Sequence, residues 1–175
     1  MKKLFLLLAV SATFIFTSCE GPQGPPGPPG GNELGQIFEV TTNFQYSSDT
    51  GLQESFVSIP NSIIVFESDV ILVYRLEKVV NDGSGGTADA WAPLPHNFFL
   101  DNGDIIQYVF NHTFFDVELL IDGNFNLNTL GSGFTDDQIF RIAIIPAEYA
   151  NSDLTMEELM YNLQIETSDI EILPN

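Results

Sequence analysis

A single cysteine, Cys19, stands in 175 residues. No disulfide can close within the chain, so the fold must hold by packing alone, and a thiol–disulfide redox centre, which needs a pair, is excluded. Bases are scarce too. Five Lys and Arg face 24 Asp and Glu, a formal net charge of −19. Such a surface repels nucleic acid and anionic lipid headgroups, and its complements are cations or basic partners. Two histidines, His96 and His112, are too few for a zinc site built from Cys and His. The Gly-x-Ser-x-Gly elbow of the hydrolases is absent. The stretch Gly131-Ser132-Gly133-Phe134-Thr135-Asp136 carries Asp136 where the third glycine of a dinucleotide fingerprint belongs, and no βαβ pattern surrounds it. No cofactor is expected.

Long hydrophobic runs are missing as well. The apolar stretch from Leu4 to Phe16 falls short of the roughly 20 residues that span a bilayer. It is preceded by Met1-Lys2-Lys3 and followed by Thr17 and Ser18, the order of a secretory signal. The residues Phe16-Thr17-Ser18-Cys19 resemble the lipobox of bacterial lipoproteins, with Phe16 where leucine is commoner. That resemblance implies a cut before Cys19 and lipid attachment at its sulfur. Each buried acyl CH₂ contributes about 0.8 kcal/mol, so several chains on one residue would make release slow. Loss of residues 1–18 leaves 157 residues. Lys2 and Lys3 go with them, so three bases (Arg75, Lys78, Arg141) then face all 24 acids.

Directly behind Cys19 come three triplets, Gly21-Pro22-Gln23, Gly24-Pro25-Pro26 and Gly27-Pro28-Pro29. They resemble collagen, in which only Gly fits at the crowded axis of three chains. So few triplets are expected as a single polyproline II rod, since a trimer would need contacts elsewhere. Residues 21–31 at about 3.1 Å each would reach roughly 34 Å. The expected organisation is a signal over residues 1–18, a lipidated tether over 19–33, and one folded domain over 34–175.

Within that domain the patterning is strand-like. Residues 36–46 are rich in β-branched and aromatic side chains, and a loop over 47–51 follows. Phe56, Val57 and Ile59 precede a break at Pro60-Asn61, and residues 62–66 and 69–80 are two more apolar runs. In the second, Val70, Leu72, Tyr74 and Leu76 share one face, while Ile71, Val73, Arg75 and Glu77 share the other. Residues 81–87 read as a flexible loop, and Trp91 to Pro95 as extended and irregular. Two hairpins are expected, one with an Asn102-Gly103 type I′ corner and one with Asp122-Gly123 at its corner and a return strand over 124–127. Tyr108, Phe110, His112 and Phe114 would line one buried face, His96 behind Pro95 would lie in a loop, and most of Phe98, Phe99, Phe110, Phe114 and Phe115 would belong to the core. Residues 131–133 read as a loop and 139–145 as a strand. Thr155 and Glu158 form a capping box ahead of Met156, Leu159, Met160 and Leu163 at helical spacing, and a short strand closes the chain over 170–173. About eight strands and one late helix point to a mainly β fold, an antiparallel β-sandwich or jelly roll with one short C-terminal helix; a small barrel is the alternative.

Candidate sites are few. Asp122, Asn124 and Asn126 put oxygens at alternate positions, as at the start of a calcium loop, but Leu127 stands at the turn glycine and Gly133 at the bidentate glutamate. Asp82, Asp101 and Asp104 are further oxygen donors without supporting spacing. Trp91, beside prolines, is the candidate platform for a sugar ring or a partner peptide. The expected function is a membrane-anchored lipoprotein of a bacterial cell envelope, held by lipid and displaying a β-sandwich to a protein or glycan, or filling a structural role. The outer membrane is the expected location. The alternative is a hydrolase acting on envelope or extracellular polymers.

Overall fold

A computed structural model describes residues 35–150 and 154–174. The expected signal, Cys19 and the Gly-Pro triplets lie outside the described residues. The domain is mainly β, with two facing sheets and one helix of more than a turn or so near its C-terminus. The strands are β1 (Gln36–Thr42), β2 (Gln45–Tyr46), β3 (Gln53–Ser58), β4 (Asp69–Asn81), β5 (Thr87–Pro93), β6 (His96–Phe99), β7 (Ile105–His112), β8 (Asp116–Gly123), β9 (Gln138–Pro146) and β10 (Glu171–Leu173). The first sheet runs β10-β1-β9-β4-β5 and the second β2-β3-β8-β7-β6. Every pairing is antiparallel except β1 with β10.

Alternation decides what faces inward. Phe38, Val40, Ile71, Val73, Phe140, Ile142 and Ile144 of the first sheet meet Val57, Ile106, Tyr108, Val117, Leu119 and Ile121 of the second in one core. The first sheet is buried on its other face as well. Helix α1 (Met156–Leu163) lays Met156, Leu159 and Leu163 on Ile37, Tyr74, Ala143 and Ile145. This double cover explains why β9 reads as a nearly unbroken apolar run and why both faces of β4 are apolar. The helix begins where the sequence places it. Thr155 Oγ1 accepts from the Glu158 amide at 3.2 Å, and the Glu158 carboxylate accepts from the Thr155 amide at 3.0 Å. It ends on Gln164 in the left-handed region, φ 57°.

Several local expectations give way to the two-sheet topology. Residues 36–46 are two strands, because the chain leaves the first sheet after Thr42 and joins the second at Gln45. Residues 62–66 form no strand. They carry the chain from β3 in the second sheet to β4 in the first, and only Ile63 and Val65 reach the core. Asp122-Gly123 is no corner. Both residues stay in β8, opposite Gln107 and Ile106, and the chain then enters a 3-10 turn over Leu127–Thr129. Gly123 is required there for space: a Cβ would lie 2.9 Å from Leu127 Cδ2 and 3.0 Å from the Ile105 carbonyl oxygen. The Asn102-Gly103 hairpin does form. Its loop is longer than a type I′ turn, with Gly103 alone at positive φ, 87°, and Leu100 bonded to both Gly103 and Asp104. Residues 131–133 open a single helical turn, Ser132–Thr135. Trp91 to Pro93 belong to β5, and the Leu94-Pro95 peptide is cis.

Candidate binding face

Among the described residues no helix packs over the outer face of the second sheet. Its outward side chains follow from the register: Phe56 of β3 stands across from Glu118 of β8 and Asn111 of β7, Glu54 from Leu120 and Val109, and Phe99 of β6 from Ile105. Phe56 is 67% exposed and Phe99 78%. Leu120 is buried although it points outward. Beside Phe56, where the chain crosses from β1 to β2, a depression of about 440 Å³ is lined by Thr42, Gln45, Tyr46, Glu54 and Ser55. Thr42 and Ser55 bond each other across its floor at 2.6 Å. One Glu54 oxygen accepts from the Thr50 hydroxyl.

Charge is divided unevenly between the sheets. Arg75 and Lys78 lie on β4 and Arg141 on β9, all in the first sheet. Both arginines are buried, so Lys78 is the one exposed Lys or Arg among the described residues. The second sheet carries Glu54, Asp116, Glu118 and Asp122 with no Lys or Arg on any of its strands. Its outer face therefore sets exposed Phe56 on β3 and Phe99 on the edge strand β6 among carboxylates of β3 and the central strand β8, which no Lys or Arg of that sheet neutralises.

The residues singled out from the sequence fall elsewhere. Trp91 is half-buried against the α1 cluster, and the Arg141 guanidinium lies over its ring, 4.1 Å from the centroid. Arg141 also pairs with Glu39 at 3.0 Å. One face of the indole is thus occupied by a cation, and the ring does not stand free as a stacking platform. Asp122, Asn124 and Asn126 do not converge on a cation site. Asp122 Oδ1 accepts from the Gly123 amide, Asn124 Oδ1 from the Ile105 amide, and Asn126 Oδ1 from the Asn128 amide. Asp82 Oδ1 accepts from the amides of Ser84 and Gly86, which hold its carboxyl below the usual range. Among the described residues no group of three His, Cys, Asp or Glu is placed to hold a metal ion.

His112 is exposed, not buried among aromatics, because the core ends before β7 does; it stacks on Phe110 at 6.4 Å. His96 opens β6 and is not in a loop. Its Nδ1 is buried without a hydrogen-bond partner, and burial, with Arg75 nearby, lowers its pKa against the opposing pull of Glu77. Of the phenylalanines assigned to the core, Phe98 and Phe110 pack against it, whereas Phe99, Phe114 and Phe115 are exposed. Phe99 alternates outward on β6, and Phe114 and Phe115 sit in the β7–β8 turn.

An internal feature also escaped the sequence. The Arg75 guanidinium lies 4.8 Å from the Tyr108 ring and 5.1 Å from the Phe98 ring, and donates twice to Gln138 Oε1. Tyr108 donates to the Phe134 carbonyl at 2.6 Å, and burial raises its pKa to about 12. Among the described residues no carboxylate forms an ion pair with Arg75, so it serves the interior by aromatic and amide contacts.

No protein-family model matches the chain, and no curated protein or solved structure is detectably similar to it.

Proposed function

We propose that the chain is a lipid-anchored protein of a bacterial cell envelope, attached through Cys19 to a membrane, the outer membrane by preference. It holds a β-sandwich away from that surface on a stiff Gly-Pro spacer, and it works by binding rather than by catalysis. The observation that carries this reading is the junction over residues 16–31, where an apolar run, a lone cysteine and three Gly-Pro triplets follow one another without interruption. The first strand among the described residues begins at Gln36, seven positions beyond Pro29 in sequence. Binding is favoured over catalysis by the outer face of the second sheet, on which no described helix packs and where exposed Phe56 and Phe99 stand among carboxylates.

Intact mass measurement on the membrane fraction tests the anchor. The expected product lacks residues 1–18 and carries acyl mass on Cys19, and Cys19→Ser moves the protein to the soluble fraction. A freely soluble product that starts well downstream of Cys19 refutes the proposal.

A further inference from the structure

The outer face of the second sheet has a definite end at β2 and β3. Phe56 projects there and walls the depression formed with Gln45, Tyr46 and Glu54. Apolar and acidic groups thus meet at one edge. The nearest strand beyond β3 is only the two-residue β2, so an extended chain could lie along this margin.

We infer that this corner docks a basic polypeptide segment, with an apolar side chain covering Phe56 and a Lys or Arg entering the depression beside Glu54 and Tyr46. The occupant follows from charge. A second copy of the chain would bring Glu54, Glu118 and Asp122 against the same residues, a like-charge contact that association must overcome. An anionic lipid surface or nucleic acid meets the same repulsion. A neutral glycan would leave the charges of Glu54 and Glu118 uncompensated. A cationic chain meets both the carboxylate and the ring, since an ammonium or guanidinium pairs with Glu54 and lies against Tyr46 while the neighbouring apolar side chain removes Phe56 from water. The inference rests on the binding reading above and names the partner of that face.

The test uses the full chain in nanodiscs of phosphatidylcholine, a neutral surface. Two fluorescent peptides serve as probes, one alternating Lys with Leu and one alternating Lys with Ser. The variants are Phe56→Ser, Glu54→Gln and, on the exposed face of α1, Tyr161→Ser. Phe56 and Tyr161 are both largely solvent-exposed (67% and 84%), so the fold survives each change, and near-UV circular dichroism checks this. The Lys-Leu peptide is expected to bind more tightly than Lys-Ser. Phe56→Ser and Glu54→Gln should each weaken it about tenfold or more, while Tyr161→Ser leaves it unchanged. Equal binding by all three variants would mean diffuse attraction to an acidic protein and overturns the inference. So would a dimer that Phe56→Ser dissolves, or displacement of the peptide by a neutral oligosaccharide. The mass at Cys19, read on the same samples, reports the anchor separately, so failure of docking and failure of anchoring are told apart.

Discussion

Replacing Gln138 by methionine should cost clearly more stability than replacing Arg75 by methionine, although the two residues are hydrogen-bonded to each other. Both are buried, at 7% and 8% exposure. In Arg75→Met the lost groups are two hydrogen bonds into Gln138 Oε1 and two ring contacts, and methionine still packs on Phe98 and Tyr108. What remains is one neutral acceptor short of donors, which costs about 1–2 kcal/mol. In Gln138→Met a guanidinium stays buried without its acceptor, a loss of about 3–5 kcal/mol. That change also frees the carbonyls of Gly133 and Asp136, which Gln138 Nε2 bonds at 3.2 and 2.6 Å. The double variant should fall well short of the sum, because with the cation gone the missing acceptor matters less. Equilibrium urea unfolding at neutral pH, with m-values compared to confirm a common unfolded state, measures all four corners of the cycle. Should Arg75→Met prove as costly as Gln138→Met, or the two effects simply add, the account of an uncompensated interior cation is wrong.

Three further outcomes are expected. Gly123→Asn, which a hairpin corner would accept, should cost about 1–3 kcal/mol in urea unfolding, because the new side chain meets the Ile105 carbonyl and Leu127; at Gly103, where φ is 87° and nothing lies within 4 Å, the same change should cost under about 1 kcal/mol. Thr155→Ala should lower stability by about 1 kcal/mol through loss of the α1 cap, without altering the spectrum of the folded state. Because the pKa of His96 is lowered in the folded state, the unfolded chain takes up its proton first as pH falls below about 6.5, so stability should decline on acidification through that point; melting temperatures of wild type and His96→Asn between pH 5 and 8, flatter for the variant, check the sign.

Several elements were legible because their signals are local. The α1 helix needs only its own residues: a capping box and four apolar positions at helical spacing. The alternation of β4 was readable for the same reason, with Ile71 and Val73 on one face and Leu72 and Tyr74 on the other. The binding face was not legible. Phe56 and Phe99 look like core phenylalanines in a one-dimensional pattern, and only pairing with Glu118 and Ile105 turns them outward. Asp122-Gly123 misled for a related reason, since a glycine needed for close approach of β7 looks the same in sequence as one needed for a turn.

By itself, then, the sequence determined what is held in covalent order and in short-range periodicity: the lone thiol behind an apolar run, the Gly-Pro triplets, the acidic excess, the strand-rich body and its single capped helix. The tertiary structure alone decided which face each strand presents, that α1 covers the first sheet and leaves the second bare, and that Arg75 and Arg141 sink into the interior while Lys78 remains outside. The physical reason is range. Caps, turns and alternation are set by neighbours a few residues apart, whereas burial and charge distribution depend on contacts such as Phe38 with Ile142 or Val57 with Val117, made across long stretches of chain.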